Sequence, residues 1–143
     1  MNIVLFIHED SSENGIQLKN IISQNFVGAK QQIFQTFNAF KSRLKQLSIY
    51  KEQEIFVLLA DSKSHLTELT SLIELLEDKR IILILPDNSK STVLKAHQFF
   101  PRFFTYISDS YEDLCAVLSK MNSQENLKEL QIKKEGIKDG SIN

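Results

Sequence analysis

The chain is poor in nearly everything that marks a specialised class. Cys115 is its one cysteine in 143 residues, so it forms no internal disulfide and builds no cysteine-based zinc site. Tryptophan is absent. Four glycines and two prolines exclude collagen-like and linker-like compositions. Neither sign of charge prevails: 17 Lys and Arg stand against 18 Asp and Glu, a formal net charge of −1. Such a balance leaves no basic footprint for nucleic acid and no polybasic patch for a membrane. The first apolar run, Ile3–Ile7, has no basic residue before it and stops at His8-Glu9-Asp10, so we expect neither a signal peptide nor a membrane span there. These absences together lead us to expect a protein of a reducing compartment, the cytoplasm. What remains is ordinary globular material, 42% apolar and 24% charged, with 10 Phe and 3 Tyr to fill a core. At about 100–200 residues per domain, this is one domain.

Short apolar runs alternate with longer amphipathic stretches five times. Ile3–Ile7, Gln32–Phe37, Glu54–Ala60, Ile81–Leu85 and Phe103–Ile107 read as strands. The second is the most polar and fits an edge. Between them lie helical spacings: Ile16, Leu18, Ile21, Ile22 and Phe26; Phe40, Leu44 and Leu47 within Asn38–Ile49; Leu66, Leu69, Leu72, Ile73, Leu75 and Leu76; Val93, Leu94, His97 and Phe100; then Leu114, Val117, Leu118 and Met121. Strands and helices of these lengths in alternation predict right-handed crossovers and a parallel sheet covered on both faces, a three-layer α/β/α sandwich. Residues 1–121 form this (βα)5 domain. Residues 122–143 are polar, with Gly136 and Gly140 near the end, and read as a helical extension or tail.

A (βα)5 domain of this size is the architecture of the flavodoxin-like superfold, and three segments narrow the resemblance. Val4-Leu5-Phe6-Ile7-His8-Glu9-Asp10-Ser11 resembles the opening of response-regulator receiver domains, an apolar strand running into a pair of acids. Tyr106-Ile107-Ser108-Asp109-Ser110-Tyr111-Glu112-Asp113-Leu114 is similar to the family's Thr-Lys-Pro-Phe segment, and Val93–Phe104 to the helix and strand before it. The resemblance covers roughly residues 2–121 and implies a parallel sheet of strand order 2-1-3-4-5. It also implies a rim of phosphorylation chemistry. Receivers need a phosphoacceptor Asp, an acid pair for Mg²⁺, a hydroxyl and a Lys, because the metal and the two donors offset phosphoryl charge. Here Glu9 keeps the second acid position and His8 replaces the first. Leu59 falls at the phosphoacceptor position, Pro86 at the hydroxyl and Ile107 at the lysine. Asp61 lies two residues beyond Leu59, on the same strand face but about 6–7 Å further along. This is a pseudo-receiver pattern: the fold is kept and the switch chemistry is dismantled.

Several residues carry two readings. Asp61, Asp87 and Asp109, with Glu9 and Asp10, fall at carboxyl ends of strands, the rim where doubly wound sheets bind ligands. Glu9, Asp10 and Asp61 are the candidates for a divalent cation such as Mg²⁺, and Asp61 is the candidate phosphoacceptor; for Asp87 and Asp109 helix capping is the leading alternative. His8 reads as a surface hydrogen-bonding residue or as a ligand, whereas His65 and His97 have no partner at ligand spacing. Cys115 reads as packing. Phe99, Phe100, Phe103 and Phe104 are core by the plainer reading. They also sit where receivers meet partners, so at least one ring is expected at the surface, and Phe100, Arg102, Phe104 and Tyr106 define the candidate interaction face.

No phosphate-binding glycine loop, nucleophile elbow or metalloprotease motif is present. The expectation is therefore a non-enzymatic signalling module without a required cofactor. It would bind a protein partner or a second copy through the fourth helix, fifth strand and fifth helix, and neither nucleic acid nor membrane. Two alternatives stand beside it: a phosphorylatable two-component receiver using Asp61 with Glu9, Asp10 and Mg²⁺, and a flavodoxin-like module for a small molecule or nucleotide.

Overall fold

A computed structural model describes residues 1–47 and 53–123. In chain order the elements are β1 (Asn2–Ile7), α1 (Ser12–Asn25), β2 (Lys30–Phe34), α2 (Phe37–Lys45), β3 (Glu54–Leu59), α3 (Lys63–Thr70), α4 (Ile73–Leu76), β4 (Arg80–Leu85), α5 (Lys90–His97) and β5 (Phe103–Tyr106). The five strands form one parallel sheet in the order β2-β1-β3-β4-β5. This is the expected three-layer α/β/α sandwich, with order 2-1-3-4-5.

The two compact units are Met1–Tyr111 and Glu112–Asn143. The described part of the second is a helix over 112–123. The expected tail, apart from residues 122–123, and the end of the predicted second helix, 48–50, lie outside the described residues.

Alternation divides the sheet's side chains between two layers. β1, β3 and β4 are buried on both faces, which is why they read as continuous apolar runs. Val4, Phe6, Phe56, Leu58, Ile81, Leu83 and Leu85 meet one layer of helices through Phe40, Leu44, Leu66, Leu69, Leu76 and Ala96. On the other face α1 comes close enough that a Cβ at Gly15 would sit 2.4 Å from Ile7 Cγ2. Gly15 is thus required by close approach, not by an unusual backbone angle.

Four expectations are corrected. The second strand is Lys30–Phe34, not Gln32–Phe37, because Thr36 caps α2 through a hydrogen bond from the Ala39 N–H at 3.2 Å. The single helix expected over Leu66–Leu76 is broken into α3 and α4. The Ser71 hydroxyl donates to the Glu68 carbonyl at 2.6 Å, and such back-bonding competes with the helical ladder. In α1 the buried face is Gly15, Leu18 and Ile22, and Ile16 is exposed. In α5 the predicted stripe is out of phase: Thr92, Ala96 and Phe99 face inward, leaving Leu94 58% and Phe100 87% exposed. Leu94 and Phe100 are the apolar residues the periodicity misplaced, because spacings of four and three from Thr92 choose a different helix face.

Among the described residues no helix is long and apolar enough to cross a membrane.

Candidate functional site

The carboxyl edge of the sheet gathers the acidic residues, but not in the combination expected. His8 follows the last residue of β1, and its mostly buried ring stacks against His65 from α3, with centroids 4.2 Å apart and planes tilted by 31°. Phe37 flanks both rings, at 5.4 Å from His8 and 6.1 Å from His65. Two loops and one helix converge here because β1 and β3 are paired in register, Ile7 opposite Leu59. His65 sits on the first turn of α3, whose N-cap Ser62 accepts the His65 N–H at 3.1 Å.

Asp61 is occupied by that histidine. Its Oδ1 lies 3.1 Å from His65 Nδ1, and since a carboxylate only accepts, the Nδ1–H donates. In the neutral ring this leaves Nε2 as an acceptor, 3.9 Å from Asp10 Oδ2. The Asp10 oxygen is also 3.4 Å from His8 Nδ1, which accepts the Asp10 N–H at 3.1 Å. Among the described residues, the donor atoms that come within 4.8 Å of one another belong to His8, Asp10 and His65. Of the predicted trio Glu9, Asp10 and Asp61, only Asp10 belongs to this set. The exposed Glu9 gives its backbone N–H to the Gln35 carbonyl at 3.1 Å. The expectation that His65 lacks a partner is corrected: spacing along the chain could not show that β1 and α3 end side by side.

Asp87 and Asp109 serve structure in two different ways. Asp87 Oδ1 accepts the Ser89 N–H at 2.9 Å, and Ser89 in turn caps α5. Hydrogen bonds from Ser89, side chain and backbone, and from Thr92 hold the Asp87 carboxyl down at about 2, with Lys63 adding a smaller electrostatic contribution. Asp109 accepts the Thr105 hydroxyl at 3.0 Å. Leu59 is fully buried as the last residue of β3, Pro86 follows β4, and the Ile107 N–H donates to the Leu85 carbonyl at 2.9 Å. Burial pushes the Tyr111 phenol up, helped by the Asp61 charge, and its hydroxyl has no hydrogen-bond partner among the described residues. Burial likewise pushes the Cys115 thiol up.

A second feature lies at the other end of α5. A surface depression of about 700 Å³ is lined by His97, Phe100, Pro101, Arg102, Phe103 and Phe104. Phe104 packs edge-on against His97 at 5.6 Å and Tyr106 at 6.3 Å, with its inner side on the core. Phe100 does not pack inward. Two residues past the cap Gln98, it takes a φ of 48°, the left-handed region in which a bulky side chain is a genuine outlier. The cause is local. The Phe100 N–H closes a turn onto the His97 carbonyl at 3.1 Å, Pro101 bars further right-handed helix, and the Arg102 N–H reaches back to Ile81 at 2.8 Å. The chain reverses within two residues, and the phenylalanine is left outside.

The fold is thus a doubly wound, flavodoxin-like α/β domain. No family model and no curated protein sequence matches the chain. Among solved structures it is similar to a crystal structure from Burkholderia pseudomallei K96243, of a protein named for a relation to pilus assembly. The TM-score is 0.57 and the identity 18%, over 87% of this chain and 90% of that one. At that identity the likeness concerns the fold.

Proposed function

We propose that the protein is a non-enzymatic, pseudo-receiver interaction module that binds another protein, or a second copy of itself, through α5 and β5. The observation that carries this reading is Phe100, a large aromatic ring 87% exposed and held in a left-handed backbone. An exposed strained residue has no stability reason to be phenylalanine, and strain of this kind gathers at binding sites. With it in the same depression are exposed Arg102 and half-buried Phe103 and Phe104, and Tyr106 packs on Phe104. Aromatic anchors beside an arginine are the residue types enriched in binding hot spots. Among the described residues β5 is also the edge of the sheet, paired with β4 alone.

What supports a silent phosphorylation site is the chemistry of Leu59, Pro86 and Ile107, none of which offers a phosphoryl acceptor, hydroxyl or cation. Asp61, the remaining candidate, is engaged by His65.

The test places a photo-crosslinking amino acid at Arg102 in the full chain, expressed in its own cells. A discrete crosslinked product is expected, lost when Phe100→Ala is added while the variant keeps its cooperative melting transition. No product, or one indifferent to Phe100→Ala, overturns the reading. Intact-mass analysis after acetyl phosphate and Mg²⁺ is expected to show no phosphoryl gain; a gain abolished by Asp61→Asn overturns the pseudo-receiver assignment.

A further inference from the structure

The His8–Asp10–His65 cluster has features that neither packing nor helix capping explains. Two imidazoles from different elements are brought together at the sheet's carboxyl edge, with 16% of the His8 and 12% of the His65 side chain exposed, and a mostly exposed carboxylate stands over both. We infer that this cluster is a binding site for a divalent d-block cation of the Zn²⁺ class, with His8, His65 and Asp10 as ligands and Asp61 as the group that orients His65.

The first argument is donor type. Two imidazole nitrogens and one carboxylate oxygen suit Zn²⁺ and its neighbours, whereas Mg²⁺ and Ca²⁺ take all-oxygen sets. The second is span. With metal–ligand bonds of about 2.0–2.1 Å in a tetrahedron, neighbouring donors stand about 3.3–3.5 Å apart. His8 Nδ1 and Asp10 Oδ2 are at 3.4 Å and His65 Nε2 and Asp10 Oδ2 at 3.9 Å, with all three donors inside 4.8 Å. Loading the site draws the two histidine nitrogens together through ring rotation, and the metal takes the His8 lone pair now filled by the Asp10 N–H. That amide lies in an exposed turn and can pass to water.

The third argument is Asp61. Metal-binding histidines commonly give their other ring N–H to a carboxylate, which fixes the tautomer and strengthens the donor. The Asp61–His65 hydrogen bond at 3.1 Å is that arrangement, with Nε2 left facing Asp10. Phe37 walls the rings on one side. Three protein ligands leave the fourth tetrahedral position for water.

The experiment titrates the full, tag-free chain with Zn²⁺ by calorimetry and with Co²⁺ by visible absorption. One equivalent of Zn²⁺ is expected to bind, with Co²⁺ giving tetrahedral bands that Zn²⁺ bleaches. His65→Gln and His8→Gln should each weaken binding at least tenfold. Asp61→Asn should weaken it about 10–100-fold without changing the stoichiometry, and Glu9→Gln should leave it unchanged. In the unaltered protein, nitrogen shifts of the His8 and His65 rings on adding Zn²⁺, measured by NMR, identify the ligands without any variant. No saturable binding, binding indifferent to His65→Gln with the shifts falling on His97, or Mg²⁺ occupying the site in preference to Zn²⁺ overturns the assignment.

Discussion

Replacing Phe100 by glycine separates a ring that holds the fold from one displayed on it. A residue other than glycine in the left-handed region is strained by about 1–2 kcal/mol, and Phe100 sits there at φ 48°. Burying a whole phenylalanine is worth about 1.5–3 kcal/mol, but this one is 87% exposed, so its removal forfeits only ~0.3 kcal/mol. Glycine also loosens the unfolded chain, at about 0.5–1 kcal/mol. The balance predicts that Phe100→Gly raises stability by about 0.5 kcal/mol. Phe100→Ala retains the Cβ and hence the strain, and should fall slightly below the parent. The assay is urea unfolding followed by far-UV circular dichroism, since tryptophan is absent, with the slope required to stay constant. Both variants should lose association through the α5–β5 face. If both instead lose about 2 kcal/mol or more, the ring is structural and the argument from exposure and strain is refuted.

Other perturbations probe the frame and the capping network. Arg43 joins α2 to β3 by its ion pair with buried Glu54 and also donates to Gln32 at 3.0 Å, so Arg43→Met should cost about 3 kcal/mol in chemical denaturation. Gly15→Ala should destabilise by about 1–2 kcal/mol despite alanine's better helix propensity, because the added methyl meets Ile7 at 2.4 Å; a more stable variant would refute the close approach. Asp87 has a folded pKa of about 2 against an ordinary 3.8, so its contribution is full above pH 4 and is lost as pH falls through 2. Asp87→Asn should therefore flatten the stability profile between pH 4 and 2, as read by thermal melts across that range.

How much of this was legible in the chain follows from which interactions are local. The runs at Ile3–Ile7, Glu54–Ala60 and Ile81–Leu85 announce doubly buried strands, because a parallel sheet covered on both faces needs apolar side chains at every position. Alternation of strand and helix then restricts the architecture to a doubly wound sheet, since crossovers take one hand. Capping was half legible: Ser62 and Ser89 cap their helices beside the aspartates that drew attention. Helix phase was less so, because Leu94 and Ile16 are as apolar as the residues that face inward, and only the packing surface chooses among them. The strain at Phe100 arises from a reversal closed by a bond to Ile81, a residue 19 positions earlier, which no spacing reveals. The histidine cluster is the clearest case. His8 and His65 are 57 positions apart and each looks solitary in the sequence. Pairing of β1 with β3 and the first turn of α3 bring their rings to 4.2 Å, and the sheet register that sets the two strand ends side by side is visible at neither residue.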